Sequence, residues 1–230
     1  HRKRQVDPLD RAATFLLTLL EFSDAPFWQA GRNVLKMVVL INPSTARAAR
    51  QRPQARQVIM SEHKRSPHSK PTIHVIATGG TIAMRIDPVS GGPVPTLSGA
   101  DLVSGIPALG ALAKITVEEF ANIPSEQMQP HTWLELARRI QALTAAESAG
   151  ARRPTGIVIL HGTDTMEETA FFLDVTVPTE VPIILTGAMR AASDPEPDGP
   201  GNLLDAVTVA IHARSPGRGV LVVMNGNIQS

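Results

Sequence analysis

The sequence predicts an α/β fold, in which a mostly parallel sheet carries helices on both faces. Two observations support this prediction. Four short apolar runs have the composition of parallel strands that are buried on both sides. Segments with the period of a helix lie between these runs, and strands that alternate with helices favour crossover connections and parallel pairing.

The predicted strands are short and rich in branched apolar residues. The four clearest runs cover residues 72–77, 156–160, 182–185 and 219–224, and residues 114–120 form a weaker fifth candidate. Helices are predicted where apolar residues recur at helical spacing, around Trp133, Leu136, Ile140 and Leu143, and around Met166, Ala170, Leu173 and Val177. A third helix is predicted over residues 202–213, after the proline-rich loop 193–201.

The second of these helices has a recognisable start. Thr165 precedes Glu168 by three residues, which is the spacing of a capping box, so the helix is predicted to begin just after Thr165. Gly162, Thr163 and Asp164 then lie beside a helix N-terminus, where free amides favour a substrate carboxylate or a developing oxyanion. From the residues alone, Asp164 either binds a substrate ammonium group or another basic group, or simply caps the helix.

Charge divides the chain into two parts. Residues 1–70 hold 13 Lys or Arg and 5 Asp or Glu, a net charge of +8, whereas the remaining 160 residues hold 9 and 16, a net charge of −7. We therefore expect residues 1–70 to be a basic extension, poorly ordered or non-native, and residues 71–230 to be the catalytic domain. An organelle transit sequence and a nucleic-acid-binding arm are the alternatives for the extension.

Composition excludes several classes of site. The chain contains no cysteine, which removes disulfides, thiolate metal sites and cysteine nucleophiles. No metal-ligand cluster or phosphate loop is present, so we expect no metal and no cofactor. No apolar run approaches the ~18 residues that span a bilayer, and no secretory signal is evident, so we expect a cytoplasmic protein with no membrane or nucleic-acid partner.

Two threonines follow the ends of predicted strands. Thr81 comes after Gly79 and Gly80, and Thr163 comes after Gly162. Ligands of open α/β sheets bind outside the carboxyl ends of the strands, so both hydroxyls are placed for chemistry. A threonine nucleophile assisted by a second threonine is one interpretation, and a turn residue that bonds its own backbone is the other.

Five segments resemble motifs of the bacterial-type L-asparaginases, in the family's own order. They cover residues 78–83, 122–128, 161–169, 186–190 and 219–225. The resemblance implies the family's N-terminal domain and the hydrolysis of L-asparagine, and of glutamine as a possible further substrate. It also implies a homo-oligomer when the protein is full length.

The resemblance also implies roles for particular residues. Thr81 would attack the side-chain amide carbon and expel ammonia, while Thr163 would activate the attack or the water that hydrolyses the acyl-enzyme. The remaining residues implied at the site are Gly80, Ser125, Glu126, Gly162, Asp164 and Ala188, whose backbone carbonyl would receive the substrate amide. His161 and His74 are expected to be structural, and Met189 and Arg190 are expected to serve packing and an ion pair.

The sequence departs from the family pattern in three ways. The loop over residues 84–97 lacks the tyrosine that pairs with the first threonine, and the whole chain has no tyrosine. Lys114 is the last lysine, so the family's base for the second threonine has no counterpart. We also expect this chain to lack the family's smaller second domain, which helps to complete a neighbouring subunit's site. We therefore expect a truncated domain with little or no activity on its own.

Other functions remain open from the sequence. The same scaffold could supply ammonia as a subunit of a transfer-RNA amidotransferase. It could also be an inactive module that binds an amino acid, or a non-functional remnant with an exposed sheet edge that makes it aggregate.

Overall fold

A computed structural model of the chain describes residues 70–145 and 152–230. The expected extension over residues 1–70 lies, apart from Lys70, outside these ranges. The described strands are β1 (Thr72–Ala77), β2 (Met84–Ile86), β3 (Pro93–Pro95), β4 (Lys114–Glu119), β5 (Gly156–Leu160), β6 (Ile183–Thr186), β7 (Val220–Met224) and β8 (Asn227–Gln229). The described α-helices are α1 (Gly99–Ser104), α2 (Pro107–Leu112), α3 (Pro130–Thr144), α4 (Met166–Thr176) and α5 (Gly199–Ile211).

The main sheet of the described residues has six strands in the order β4-β1-β5-β6-β7-β8. Its first five strands pair in parallel, and only β8 runs antiparallel, as the second half of a hairpin with β7. The predicted α/β fold with a mostly parallel sheet is therefore confirmed. Because parallel strands end at one edge, the residues that follow β1, β5 and β6 come together there.

Both faces of the sheet carry helices. Alternate residues of the central strands, such as Val75, Val158 and Leu221, pack with buried residues of α2 and α5. The intervening strand residues point to the opposite face, where α3 and α4 lie side by side and Trp133 stacks on Phe172 at 5.9 Å between ring centroids. Every residue of β5 is buried, which explains why its sequence is apolar throughout.

The structure adds elements that the sequence reading missed. The short helices α1 and α2 lie between the first motif and β4, and β8 extends the sheet beyond β7. The loop over residues 84–97 contains a separate two-stranded hairpin, formed by β2 and β3. Within residues 70–145 and 152–230, none of the helices combines the length and apolar character that crossing a bilayer requires.

One local prediction is wrong. Helix α4 does begin at Met166, directly after Thr165, but Thr165 makes no capping hydrogen bond. Its hydroxyl instead donates to the backbone carbonyl of Ser125 at 2.8 Å. Glu168, the other half of the expected capping box, has one buried carboxylate oxygen without a partner, and burial raises the pKa of this side chain.

Candidate active site

The turn that carries Thr81 follows β1 and depends on two glycines. Gly79 and Gly80 have φ angles of 109° and 86°, a region that residues with a Cβ rarely occupy. Thr81 then opens a single 3₁₀ turn, Thr81–Ala83, in which the amide of Ala83 donates to the carbonyl of Gly80 at 3.0 Å. The turn therefore holds Thr81 in a half-buried position at the carboxyl edge of the sheet.

The same glycines let the first turn touch its neighbours at backbone distance. A Cβ on Gly80 would overlap the Cα and amide nitrogen of Gly162, and a Cβ on Gly79 would lie 2.5 Å from the carbonyl oxygen of Ile123. A side chain at either position would separate the segments. The residue immediately before Thr81 is thus in direct contact with the residue immediately before Thr163.

The turn that carries Thr163 is held by hydrogen bonds to Ser125. The amide of Asp164 donates to the Ser125 hydroxyl at 3.1 Å, and the Thr165 hydroxyl donates to the Ser125 carbonyl at 2.8 Å. Ser125 is buried, and a Cβ on Gly162 would lie 2.6 Å from its Oγ. The segment around Ser125 is therefore fixed against the second motif, although the two lie some forty residues apart in sequence.

The hydroxyls of Thr81 and Thr163 are not used in internal hydrogen bonds among the described residues. Thr81 and Thr163 are both half-buried, and neither side chain makes a hydrogen bond within residues 70–145 and 152–230. Other hydroxyls nearby are committed, since Thr78 donates to Leu160 O and Thr186 donates to Val223 O, each at 2.8 Å. The turn-residue interpretation of Thr81, in which its hydroxyl bonds the local backbone, does not describe this structure.

His161 lies at the end of β5 and is completely buried. Its Nδ1 is 2.6 Å from the carbonyl oxygen of Gly162, and its Nε2 is 2.9 Å from Oγ1 of Thr169. Burial holds the pKa of His161 below its usual value, so the ring is neutral at pH 7. Both ring nitrogens have partners, which agrees with the structural role expected for this residue.

The third strand end, after β6, carries Ala188. The amides of Met189 and Arg190 both donate to the Asp198 carboxylate at 2.9 Å. Burial acts to raise the pKa of Asp198, but these two amides, the amide of Asp198 itself and the Asn202 side chain together outweigh it and leave the pKa below its ordinary value. Asn202 donates to Gly187 O at 2.9 Å and accepts from the amide of Asn225 at 2.8 Å, so it joins the ends of β6 and β7.

The structure brings most of the expected site residues to one edge of the sheet. Gly80, Gly162, Ser125 and Asp164 are linked by the contacts described above, and Thr81 and Thr163 each follow a residue of this group. Ala188 is buried and follows Gly187, whose Cβ would overlap the carbonyl oxygen of His161. Glu126 is the least constrained member, because its side chain is exposed.

Other expectations near the site were incomplete. Met189 is exposed rather than packed, with 64% of its surface accessible, while Arg190 pairs with Glu196 at 3.3 Å as expected. Sequence reasoning missed Asp198 and Asn202, which hold the third turn. The signal was available, since an aspartate followed by Gly199 and Pro200 is typical of a helix start, and Asp198 is the residue that precedes α5.

The described part of the chain leaves the site open. Asp164 and Glu126 are exposed, and the two threonines are only half-covered. A cavity of about 10 Å³ lies behind Gly79, between the ends of β1 and β4 and helix α1, but it has room for one water and not for an amino acid. Among the described residues, no three His, Asp or Glu side chains cluster in a way that would hold a metal ion.

The fold and the site define a class: an α/β protein with two threonine hydroxyls at the carboxyl edge of a parallel sheet, both unpaired among the residues that the structure describes. A family model described as "Asparaginase, N-terminal" matches residues 72–230. The chain therefore belongs to the asparaginase family, as the five motifs indicate.

Individual relatives agree with the family model. The chain is 44% identical over 160 residues to a "Probable L-asparaginase periplasmic" of Haemophilus influenzae and 42% identical to "L-asparaginase 2" of Escherichia coli. Both matches cover 69% of this chain and 44% of the relative. A crystal structure of a probable cytoplasmic L-asparaginase from Campylobacter jejuni has a TM-score of 0.63 and 38% identity, over 70% of this chain and 48% of that one. The chain thus spans about half the length of the relatives it matches.

Proposed function

We propose that this chain carries the catalytic threonines of an L-asparaginase, which converts L-asparagine and water to L-aspartate and ammonia. The observation that supports this proposal is the pair of hydroxyls on Thr81 and Thr163. Each is free of structural hydrogen bonds in the described residues, and their preceding glycines are in backbone contact. Neither hydroxyl is a buried unpaired atom, so both reach solvent and a substrate can contact them without breaking an internal hydrogen bond.

In the proposed reaction, Thr81 Oγ1 attacks the side-chain amide carbon of asparagine. The carbonyl becomes an oxyanion, and the amide N–H of Thr163 is a suitable donor to it, because it has no acceptor among the described residues. Collapse of this intermediate breaks the C–N bond; the leaving nitrogen takes up a proton equivalent to the one that Thr81 lost on attack, so ammonia departs and an ester remains on Thr81. Water, activated at Thr163, then hydrolyses the ester and releases aspartate.

The remaining site residues would bind the amino-acid part of the substrate. The Ser125 hydroxyl accepts from Asp164 N, so its own proton is available to a substrate carboxylate. The exposed carboxylates of Asp164 and Glu126 suit a substrate ammonium group, and the Ala188 carbonyl suits the leaving amide nitrogen. Glutamine is one methylene longer than asparagine, a difference worth about 1–3 kcal/mol in a fitted pocket.

We propose two further properties of the assembled enzyme. The open site, with Asp164 and Glu126 exposed, is completed by a second copy in a homo-oligomer, which would exclude water from the reacting centre. The isolated 230-residue chain has little or no activity on asparagine, because it contains no tyrosine and no lysine after Lys114 to act as a base. A cytoplasmic location stays a prediction, since the compared relatives are described as periplasmic and as cytoplasmic.

Ammonia release from asparagine tests this proposal. We expect Thr81→Ala and Thr163→Ala each to lower kcat by roughly 10²-fold or more, because each removes a group that acts in the transition state. Thr208→Ala is the matched control, since Thr208 is exposed on α5 and bonds only Leu204 O within its own helix. Aspartate binding without any ammonia release, also in a chain extended past Ser230, would contradict the enzyme proposal and favour a binding module.

A further inference from the structure

The reaction proposed above gives no role to the chain of hydrogen bonds that ends on the second motif. Trp133 Nε1 on α3 lies 2.8 Å from Oγ1 of Thr169 on α4. The same oxygen lies 2.9 Å from His161 Nε2, and His161 Nδ1 lies 2.6 Å from the Gly162 carbonyl. Thr169 and His161 are both fully buried. The chain of bonds therefore runs from a helix on one face of the sheet to the peptide that precedes Thr163.

The chemistry of these groups fixes the direction of every bond. An indole N–H only donates and a carbonyl oxygen only accepts, so Trp133 donates to Thr169 and His161 Nδ1 donates to Gly162. A neutral imidazole with its proton on Nδ1 must accept at Nε2, so the Thr169 hydroxyl donates to it. Burial supports the neutral form by lowering the pKa of His161. With the proton of His161 on Nδ1, all three hydrogen bonds from Trp133 to Gly162 have one donor and one acceptor.

The last bond in this chain determines where the Thr163 amide points. The Gly162 carbonyl and the Thr163 N–H belong to one planar peptide group and lie on opposite sides of it. Since the carbonyl is held by the buried His161 ring, the Thr163 N–H is directed away from the interior. Glycine at position 162 offers little resistance to rotation of this peptide, so an external restraint is needed.

We infer that His161 is a positioning residue, which uses its Nδ1–H to orient the Gly162–Thr163 peptide so that the Thr163 amide faces the reacting amide of the substrate. This inference rests on the proposed function for its effect on turnover. The orientation itself is a property of the chain without substrate. Hydrogen bonds in a series also polarise one another, so donation to Gly162 O makes the Thr163 N–H a better donor to an oxyanion.

Two substitutions with amide side chains test the two nitrogens of the His161 ring separately. In His161→Asn, the side-chain amide can replace Nδ1 as the donor to Gly162 but does not reach Thr169. In His161→Gln, the longer side chain can replace Nε2 as the acceptor from Thr169 but places no donor at Gly162. Both variants bury an amide and lack the aromatic ring, so a purely structural role for His161 predicts similar behaviour for the two.

The kinetic measurement compares kcat and KM for asparagine in the two variants, normalised to the folded fraction from circular dichroism. We expect kcat of His161→Gln to be lower than that of His161→Asn by roughly 2- to 10-fold, the effect of one hydrogen bond, with similar KM values. Equal kcat values in the two variants would overturn the inference.

Nuclear magnetic resonance tests the orientation without activity. The imidazole nitrogens of wild-type His161 should show a protonated Nδ1 and an unprotonated Nε2 between pH 7 and 8, and the opposite tautomer would overturn the inference. The Thr163 amide resonance should move further from its wild-type position in His161→Gln than in His161→Asn, and equal shifts would count against it. If the wild-type chain releases too little ammonia for kinetics, this measurement alone decides whether His161 orients the peptide.

Discussion

The two threonine-bearing turns are held in place by opposite means. The turn before Thr81 depends on the absence of side chains, because Gly79 and Gly80 have positive φ angles and contact neighbouring backbone directly. The turn before Thr163 depends on the presence of side chains, because Ser125, Thr165 and His161 hold it through hydrogen bonds. An added side chain should therefore disturb the turn before Thr81, and the loss of a hydrogen-bond donor should disturb the turn before Thr163. Steric overlap costs more than a single hydrogen bond, so the two should differ in the size of their mutational effects.

The largest expected effect comes from adding a methyl group to the first turn. Gly80→Ala combines a positive φ angle with overlap of the Gly162 backbone. The two turns follow β1 and β5, which are paired in the sheet, so neither turn can move away easily. Gly91→Ala is the control, because Gly91 also has a positive φ angle but no atom within 4 Å of its Cβ. We expect Gly91→Ala to lower the free energy of unfolding by about 1–2 kcal/mol and Gly80→Ala by clearly more, or to prevent folding.

Urea unfolding followed by circular dichroism measures both variants. Equal destabilisation by Gly80→Ala and Gly91→Ala would show that the backbone contact between the two motifs does not constrain the first turn.

A smaller effect is expected from removing one donor in the second turn. Thr165→Val keeps the shape of the side chain but removes the hydroxyl that donates to Ser125 O. We expect a loss of about 1 kcal/mol in the free energy of unfolding, together with weaker aspartate binding, because the Ser125 segment is no longer fastened to the second motif. Thr208→Val on the exposed face of α5 should change the stability by less than about 0.5 kcal/mol.

Calorimetry of aspartate binding separates the two roles of Thr165. If Thr165→Val lost stability but bound aspartate as tightly as the wild type, the bond to Ser125 would be unrelated to the site.

A third effect appears only as the pH falls. Burial lowers the pKa of His161 in the folded chain, so the unfolded chain binds a proton more readily near pH 6. The contribution of His161 to the free energy of unfolding is therefore constant well above pH 6.5. It decreases as the pH falls through that value, by at most about 1.4 kcal/mol per pH unit. Glu168, whose pKa burial raises, acts in the opposite direction, because its folded form keeps a proton to a higher pH than its unfolded form does.

His161→Asn isolates this contribution, since Glu168 and all the other titrating groups remain. The difference in unfolding free energy between wild type and His161→Asn should change steadily between pH 7 and pH 5, with the wild type losing more. A constant difference over this range would mean that His161 does not resist protonation in the folded chain.

The sequence predicted those strands and helices that the pattern of their own apolar residues specifies. Strands β1 and β5 have the bounds that their apolar runs predict, and α4 begins at Met166 as expected. Other elements were missed although local signals existed. Ser98 and Asp101 form a capping box at the start of α1, and Asn225-Gly226 forms the tight turn between β7 and β8.

The contacts between motifs could not be predicted from the residues alone. The capping-box pattern pairs Thr165 with Glu168, but the Thr165 hydroxyl instead donates to the carbonyl of Ser125, some forty positions away. That choice depends on the neighbouring ends of β1 and β5, which only the folded sheet brings together. The same is true of the bonds from Trp133 to Thr169 and from Thr169 to His161. The candidate residues were visible in the sequence, whereas the groups that orient them were not.

The most direct test of the account is to identify the residue that carries the acyl group. The protein is mixed with asparagine, quenched in acid and digested, and the peptides are analysed by mass spectrometry. The account predicts an aspartyl ester on the hydroxyl of Thr81, absent in Thr81→Ala and accumulating in Thr163→Ala, where hydrolysis of the ester is slowed. An ester on a different residue, or ammonia release that is unchanged in Thr81→Ala, would contradict the claim that Thr81 is the nucleophile.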